Sequence, residues 1–344
     1  MPYQPRQSKT RLPSMTDVAR RAGVSQTTVS FVLNNVEHAN IPQETQDRIW
    51  AAIKELGYRP NALARGLRLQ RSHLIGLISD EVATTPFAGQ IIQGAQDAAW
   101  DSKKMLLVIN TARRPEIETA AVEMLLEQQV EGIIYATMYH RPVTPPLALS
   151  QVPAILLDCY APDRSLPSVV PDEVQGGRAA TEVLLQKGHR RIGFINDSNS
   201  IPATTGRLEG YKQALAAYGI AFDSALVHVF ADMVTGGYEG ALALMRLPEP
   251  PTAIFCYNDR TAMGAYDALK TLGLSIPQDV AVVGFDNMDL IAAYLRPQLS
   301  TFELPHYQMG QWAVQYLVER GGPVPDPAPP QHTVICPYIE RSSV

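Results

Sequence analysis

Cysteine is scarce in this chain. Three in 344 residues, Cys159, Cys256 and Cys336, lie far apart, with no C-x-x-C pair and no His-Cys spacing suited to zinc. A disulfide framework and a metal-built fold are therefore not expected, and the thiols read as buried groups of a reducing compartment. Long apolar runs are also missing, so no stretch is suited to spanning a membrane. Residues 1–14 are polar and proline-containing, which reads as a flexible tail rather than an export signal. No Gly-rich phosphate loop, G-x-S-x-G elbow or H-E-x-x-H helix occurs, and the seven histidines are scattered. Asp158, Cys159, Asp197 and Asp286 could be grouped on paper around a substrate, but the signs of chemistry are thin. An enzyme is thus the weak alternative, and no cofactor or metal is expected.

Charge is present but unevenly placed. A net charge of −5 hides 11 Lys and Arg against 5 Asp and Glu through Arg71, leaving 18 against 29 in the remainder. A basic head of +6 suits phosphates through counterion release, whereas a body of −11 is repelled by DNA and needs other partners. With 46% hydrophobic and 18% charged residues, the chain is long enough for a small head and two further lobes with cores of their own.

Within the head, residues 16–34 read TDVARRAGVSQTTVSFVLN. Thr16 is the expected cap of a first helix whose Val18, Ala19 and Ala22 share a face, and Gly23 supplies the positive φ that ends it. Ser25 caps a second helix, with Val29, Val32 and Leu33 inward and Gln26, Thr27, Thr28 and Ser30 on the outer face. A third helix has Pro42 in its first turn, an apolar face of Ile49, Ala52, Ile53 and Leu56, and Gly57 as its stop. This is a helix-turn-helix layout, expected over residues 15–59. The following RPNALARGLRLQR reads as a very short helix over residues 60–71, with Asn61 as cap and Leu63 and Leu67 one turn apart. Such a helix is too short to stand alone in water, so it reads either as a basic linker or as a segment that folds against DNA and drives an apolar wedge into the minor groove.

From residue 72 to 344 apolar runs of strand length alternate with amphipathic helices. The strands read HLIGLIS, MLLVIN, GIIYATM, RIGFIN, AIFCYN and VAVVGFD, and the helices are expected over 89–101, 116–128, 173–187, 204–218 and 259–272. Repeated βαβ units give an α/β fold of parallel sheets. There are too many strands for one sheet, so two lobes are expected, with chain crossings near 161–171, 285–304 and 320–331. The closing HTVICPYIERSSV reads as one final strand without a leucine heptad for a tetramer-forming coil. In such folds ligands collect at the carboxyl ends of strands, here marked by Asp80, Asn110, Asp158, Asn196, Asp197, Asn258, Asp259, Asp286 and Asn287. These acceptor-rich ends suit the adjacent hydroxyls of a sugar.

The head, the segment IPQETQDRIWAAIKELGYRPN and the following ALARGL resemble the head and hinge helix of the lactose/galactose repressor (LacI/GalR) family. The body resembles its two-lobed, periplasmic-binding-protein-like core. The resemblance implies a double-stranded, near-palindromic operator, read in the major groove by Gln26 and Thr27 and in the minor groove by Leu67 as hinge wedge. Thr16, Ser25, Thr28, Ser30, Phe31, Asn34, Tyr58, Asn61 and Ala64 complete the implied DNA face. Phe31 departs from the long polar reader frequent in the family and offers only an apolar contact. For the cleft, the resemblance implies Arg207 in GRLEGY, Asn258 in the YND turn and Asp286 in VGFDN as ligand-holding groups, with Phe87 as an aromatic wall and Asp197 as a further acceptor. Plainer readings stand beside these: an interlobe Arg207–Asp286 ion pair, Asn258 as a helix cap, Asp197 solvated and Phe87 in the core. The region around Asp232 departs from relatives that carry a ring there, and Phe230 or Tyr257 would have to supply one. The implied whole is a cytoplasmic, homodimeric transcriptional repressor relieved by a carbohydrate effector. The alternatives are a purine-, nucleoside- or protein-corepressed regulator and, further off, a sugar-modifying enzyme or solute-binding protein.

Overall fold

The computed structural model describes residues 13–34, 36–58, 72–85, 89–231, 233–320 and 328–344, and its backbone contacts divide at Ser72/His73 into two units. The first holds three helices, α1 Met15–Ala22, α2 Gln26–Leu33 and α3 Gln43–Leu56. Ser14, rather than Thr16, caps α1. Its Oγ accepts from the Asp17 N–H at 3.3 Å while the Asp17 carboxylate accepts from the Ser14 N–H at 2.9 Å. This reciprocal capping box satisfies two otherwise orphaned donors, whereas Thr16 has only Ala19 three residues on. Thr16 is left exposed on α1. Gly23 and Gly57 end α1 and α3 at φ 68° and 62°, in the left-handed region a side chain would strain. Pro42 sits at the cap position of α3, just before its first turn. Val18, Ala19, Ala22, Val29, Val32, Ile49 and Ala52 close the small core, with Leu33, Ile53 and Leu56 packed at its edge. Tyr58, expected among DNA contacts, is buried in that core instead, because the turn at Gly57 folds the chain back over α3. Asn61, Ala64 and Leu67 lie outside the described residues.

The second unit contains two six-stranded sheets. The chain runs β1 Leu74–Ser79, α4 Gly89–Asp101, β2 Met105–Asn110, α5 Pro115–Glu127, β3 Ile133–Pro142, β4 Ala154–Tyr160 and β5 Ser168–Pro171 in the first lobe. It then enters the second lobe with α6 Glu173–Gln186, β6 Ile192–Asp197, α7 Pro202–Ala217, β7 Val227–Phe230, α8 Met233–Met245, β8 Ala253–Cys256, α9 Asp259–Thr271, β9 Ala281–Asp286 and β10 Ser300–Glu303. Helix α10 His306–Arg320 returns to the first lobe, where Met309, Ala313 and Val314 pack with Ile91 and Ala95 of α4. The last strands are β11 Gln331–Val334 and β12 Tyr338–Ile339. Strand orders are β11-β5-β4-β3-β1-β2 and β12-β10-β9-β8-β6-β7, parallel throughout except where β12 meets β10.

The closing segment is therefore two short strands in different sheets, and the third crossing lies at 335–337 rather than at 320–331. The partner strand sets the limit: after Pro171 it gives way to α6, whose cap residue Asp172 donates its N–H to the Val334 carbonyl, and the chain then leaves the first sheet with Ile335 63% exposed and drops Cys336 into the core of the second lobe. All three cysteines are buried and unpaired.

Helices α6 and α7 approach so closely that a Cβ on Gly177 would collide with the backbone of Arg207, and one on Gly210 with that of Val174. Only glycine fits, since the obstacle is main chain. Gly177→Ala is expected to cost about 1–3 kcal/mol through overpacking, read as a lower urea midpoint with an unchanged slope. An unaltered midpoint would contradict this packing.

Candidate functional site

On the head, Gln26 and Thr27 are exposed in the first turn of α2, which leaves both side chains available to a partner. Ser25 is committed to the cap, its Oγ accepting from the Thr28 N–H at 3.1 Å and lying 2.8 Å from Thr28 Oγ1. Ser30 and Phe31 are half-buried, and exposed Asn34 donates its amide back to the Ser30 carbonyl at 2.6 Å. The candidates thus separate into two outward side chains and several groups that shape the helix carrying them.

The second unit places its polar strand ends around a cavity between the lobes. At its floor lies Arg207, only 2% exposed. Its Nε donates to Glu173 Oε2 at 2.8 Å, one Nη donates to the Tyr257 carbonyl at 2.6 Å, and Asp286 Oδ1 lies 3.7 Å from that Nη. The guanidinium also covers the rings of Phe285 and Tyr257, with centroid distances of 3.7 and 4.7 Å. Burial opposes its charge, but Glu173, Tyr257 and Asp286 outweigh burial and hold its pKa above the ordinary value. All these partners belong to the second lobe, so the Arg207–Asp286 ion pair lies within a lobe and does not join the two.

Burial pushes the Asp286 carboxyl up to about 7, with Arg207 opposing and Glu173 adding to the shift. Asp158, at the corresponding end of β4 in the first lobe, is raised well above the carboxylate range by burial and then by Glu173 and Asp80. Both aspartates have positive φ, 101° and 56°, which costs backbone energy and is tolerated where a side chain must be aimed. Asn258 caps α9, its Oδ1 accepting from the Thr261 N–H at 2.9 Å, while its Nδ2 lies 3.2 Å from Met233 Sδ. The capping reading and the ligand reading use different atoms: the oxygen is committed to the cap, while the amide nitrogen meets Met233, which with Asn258 lines the cavity.

Two candidates do not join this group. Asp197 Oδ1 accepts from the Asn199 N–H and Nδ2 at 2.8 and 2.6 Å, so its carboxylate shapes the loop after β6, and it does not line the cavity. Phe87 lies outside the described residues, as does Asp232. Asp259 is structural: it accepts from Thr301 Oγ1 and the Met288 N–H, both at 2.6 Å, and burial, then Asp286, pushes its carboxyl up to about 8. Conversely, Glu173, His140, Tyr257 and Asp158 line the cavity. Asp158 and Tyr257 carried a signal as strand-end polar and candidate ring. Glu173 and His140 carried none, since nothing in their local sequence marks them as neighbours. Free space between these groups is about 40 Å³. Among the described residues no cluster of His, Cys, Asp and Glu could hold a metal ion, and no helix is long and apolar enough to cross a membrane.

Residues 14–61 match the family described as bacterial regulatory proteins, lacI family, and residues 72–326 match periplasmic binding proteins and sugar binding domain of LacI family. The chain belongs to the LacI family. Like other members it is a DNA-binding transcriptional regulator and not an enzyme. The HTH-type transcriptional regulator RegA of Clostridium saccharobutylicum is 34% identical over 89% of this chain and 92% of its own length. The ribose operon repressor of Escherichia coli is 32% identical over 90% and 93%. A crystal structure of the Lac repressor dimer bound to operator and the anti-inducer ONPF superposes with a TM-score of 0.77 at 25% identity, covering 97% of this chain and 99% of that one. The CelR–cellobiose complex does so with a TM-score of 0.65 at 28% identity, covering 96% and 100%.

Asp286 makes the site's electrostatics measurable. The folded protein holds its proton more tightly than the unfolded chain, whose aspartates titrate near 4, so its contribution to stability falls as pH rises from about 4 to about 7. Asp286→Asn, neutral throughout, is expected to gain on the wild type in urea midpoint between about pH 5 and pH 8. A difference that stays constant over that range would contradict a raised pKa.

Proposed function

We propose that this regulator is a cytoplasmic homodimeric repressor whose cleft takes an uncharged carbohydrate. The observation that carries the ligand class is the wall chemistry: the carboxyls of Asp158, Glu173 and Asp286 surround a guanidinium already engaged with two of them. Sugar hydroxyls donate to such carboxyls and accept from the Asn258 amide, whereas a phosphate meets negative charge. Relatives named for ribose and a structure solved with cellobiose support the same class. A nucleoside is the second reading, supported by relatives named PurR and CytR at 31% and 30% identity. Against it, the Tyr257 ring that could stack on a base already carries Arg207.

At the other end of the chain, Gln26 and Thr27 are the base-reading side chains, with Leu67 as a hinge wedge. Two copies are needed because one head reads one half-site, and the Lac repressor structure on its operator is a dimer. A cavity of about 40 Å³ holds little more than water, so a sugar enters only as the lobes part or the wall side chains move. A coupling of about 1–3 kcal/mol between that movement and the heads changes operator affinity by roughly 5- to 150-fold.

A thermal-shift series on the purified full chain tests the ligand class, using D-ribose, D-glucose, cellobiose, ribose 5-phosphate, glucose 6-phosphate and adenosine. An uncharged sugar at a hundred times its Kd should add about 2.7 kcal/mol of stability, and the phosphates should add none. A shift confined to phosphates or adenosine, or absent with every compound, would contradict the proposal.

A further inference from the structure

The groups that hold Arg207 directly, Glu173, Tyr257, Phe285 and Asp286, all stand on the second lobe, so a ligand bound by them alone would not sense the distance between lobes. His140, near the end of β3 in the first lobe, lines the cavity opposite Glu173, the first residue of α6 in the second. Its ring packs edge-on against Tyr160, with centroids 5.7 Å apart and planes at 77°, and its side chain is 11% exposed. Nδ1 is buried, and among the described residues no protein group is within hydrogen-bond reach of it. Glu173 Oε1 is 4.0 Å away, too far for a direct bond. The other carboxylate oxygen is held by Arg207 Nε at 2.8 Å, so Oε1 is fixed in place rather than free to swing toward the ring. Burial, with Arg164 and Arg207, keeps the imidazole neutral, its pKa pushed down to about 4.

We propose that His140 and Glu173 together grip one hydroxyl of the effector and so fasten the two lobes to each other. This rests on the carbohydrate reading of the cleft. An oxygen about 2.8 Å from each group closes the 4.0 Å gap, accepting from Nδ1–H and donating to Glu173 Oε1. The pairing assigns the ring proton to Nδ1, the tautomer that avoids a lone pair facing a carboxylate. A hydroxyl fits because it both accepts and donates. A phosphate or carboxylate oxygen only accepts and would face Glu173, and an ammonium only donates and would leave the Nδ1 proton unsatisfied. The pair therefore selects an alcohol at one position of the ligand, and because its halves stand on different lobes, that position reports lobe spacing.

Titration calorimetry on the full chain tests the grip, using D-ribose, D-glucose and cellobiose and then the monodeoxy analogues of whichever binds. In the wild type, one monodeoxy analogue should bind roughly tenfold or more weakly than its parent, the loss expected for a hydrogen bond to a charged group. His140→Phe should weaken the parent by a similar factor and bind that analogue no worse than the parent. His140→Asn, which restores an amide donor, should recover part of the discrimination and also carries the test if His140→Phe fails to fold. Variants that rank the analogues as the wild type does would overturn the grip while leaving the carbohydrate reading in place. Absence of binding by the wild type to any of the three sugars would overturn that reading and the grip with it.

Discussion

A guanidinium with almost no exposure to water must be met on every side, and in this protein that demand organises the second lobe. Arg207 draws its carboxylates from the start of α6 and the end of β9, its carbonyl from the turn between β8 and α9, and its ring contacts from Phe285 and Tyr257. Removing one member would leave a buried charge uncompensated, an effect of about 3–5 kcal/mol in comparable sites. The glycines facing its helix are part of the same arrangement, because α6 can deliver Glu173 to Arg207 only if the two backbones nearly touch. Architecture and the proposed ligand recognition thus share atoms. An Arg207 substitution would remove a proposed ligand contact and weaken the lobe at once, and one at Asn258 would remove a helix cap, which makes His140, whose Nδ1 has no protein hydrogen-bond partner among the described residues, the cleaner place to separate binding from folding.

Charge divides the labour along the chain. The basic excess is confined to the first 71 residues and the acidic excess to the rest, so attraction to phosphate is local to the head and the body adds repulsion. The cleft continues the acidic theme inward, where burial raises the Asp158 carboxyl well above the ordinary range and that of Asp286 to about 7. A carboxyl that titrates near neutrality can donate as well as accept hydrogen bonds, a versatility suited to a polyol.

What could be read from the sequence follows the range of the interaction involved. Gly23, Ser25 and Gly57 act on their own helix ends, and each stands where the local pattern put it. Ser14 was passed over for Thr16 because the decisive feature was the pairing with Asp17 rather than the single residue. Strands β1, β2, β3, β6, β8 and β9 announced themselves as apolar runs, whereas the buried β4 and the four-residue β5, β7 and β10 were not among them, and the closing run, read as one strand, is divided after Val334 between two sheets. Asn258 and Asp286 were marked by strand-end position together with family resemblance, and Arg207 by the resemblance alone. Asp197 had the same position but turns back to its own loop. Glu173 and His140 were invisible because their meaning arises only when two lobes face each other across 4.0 Å.

In vitro selection of duplexes from a random library by the purified full chain, with and without each test sugar, addresses the central claim that one chain couples operator binding to a carbohydrate. The account predicts enrichment of a near-palindromic sequence whose retention changes with one uncharged sugar and not with its phosphorylated form. Failure to enrich any sequence, or a selected palindrome retained equally under every sugar, would contradict it.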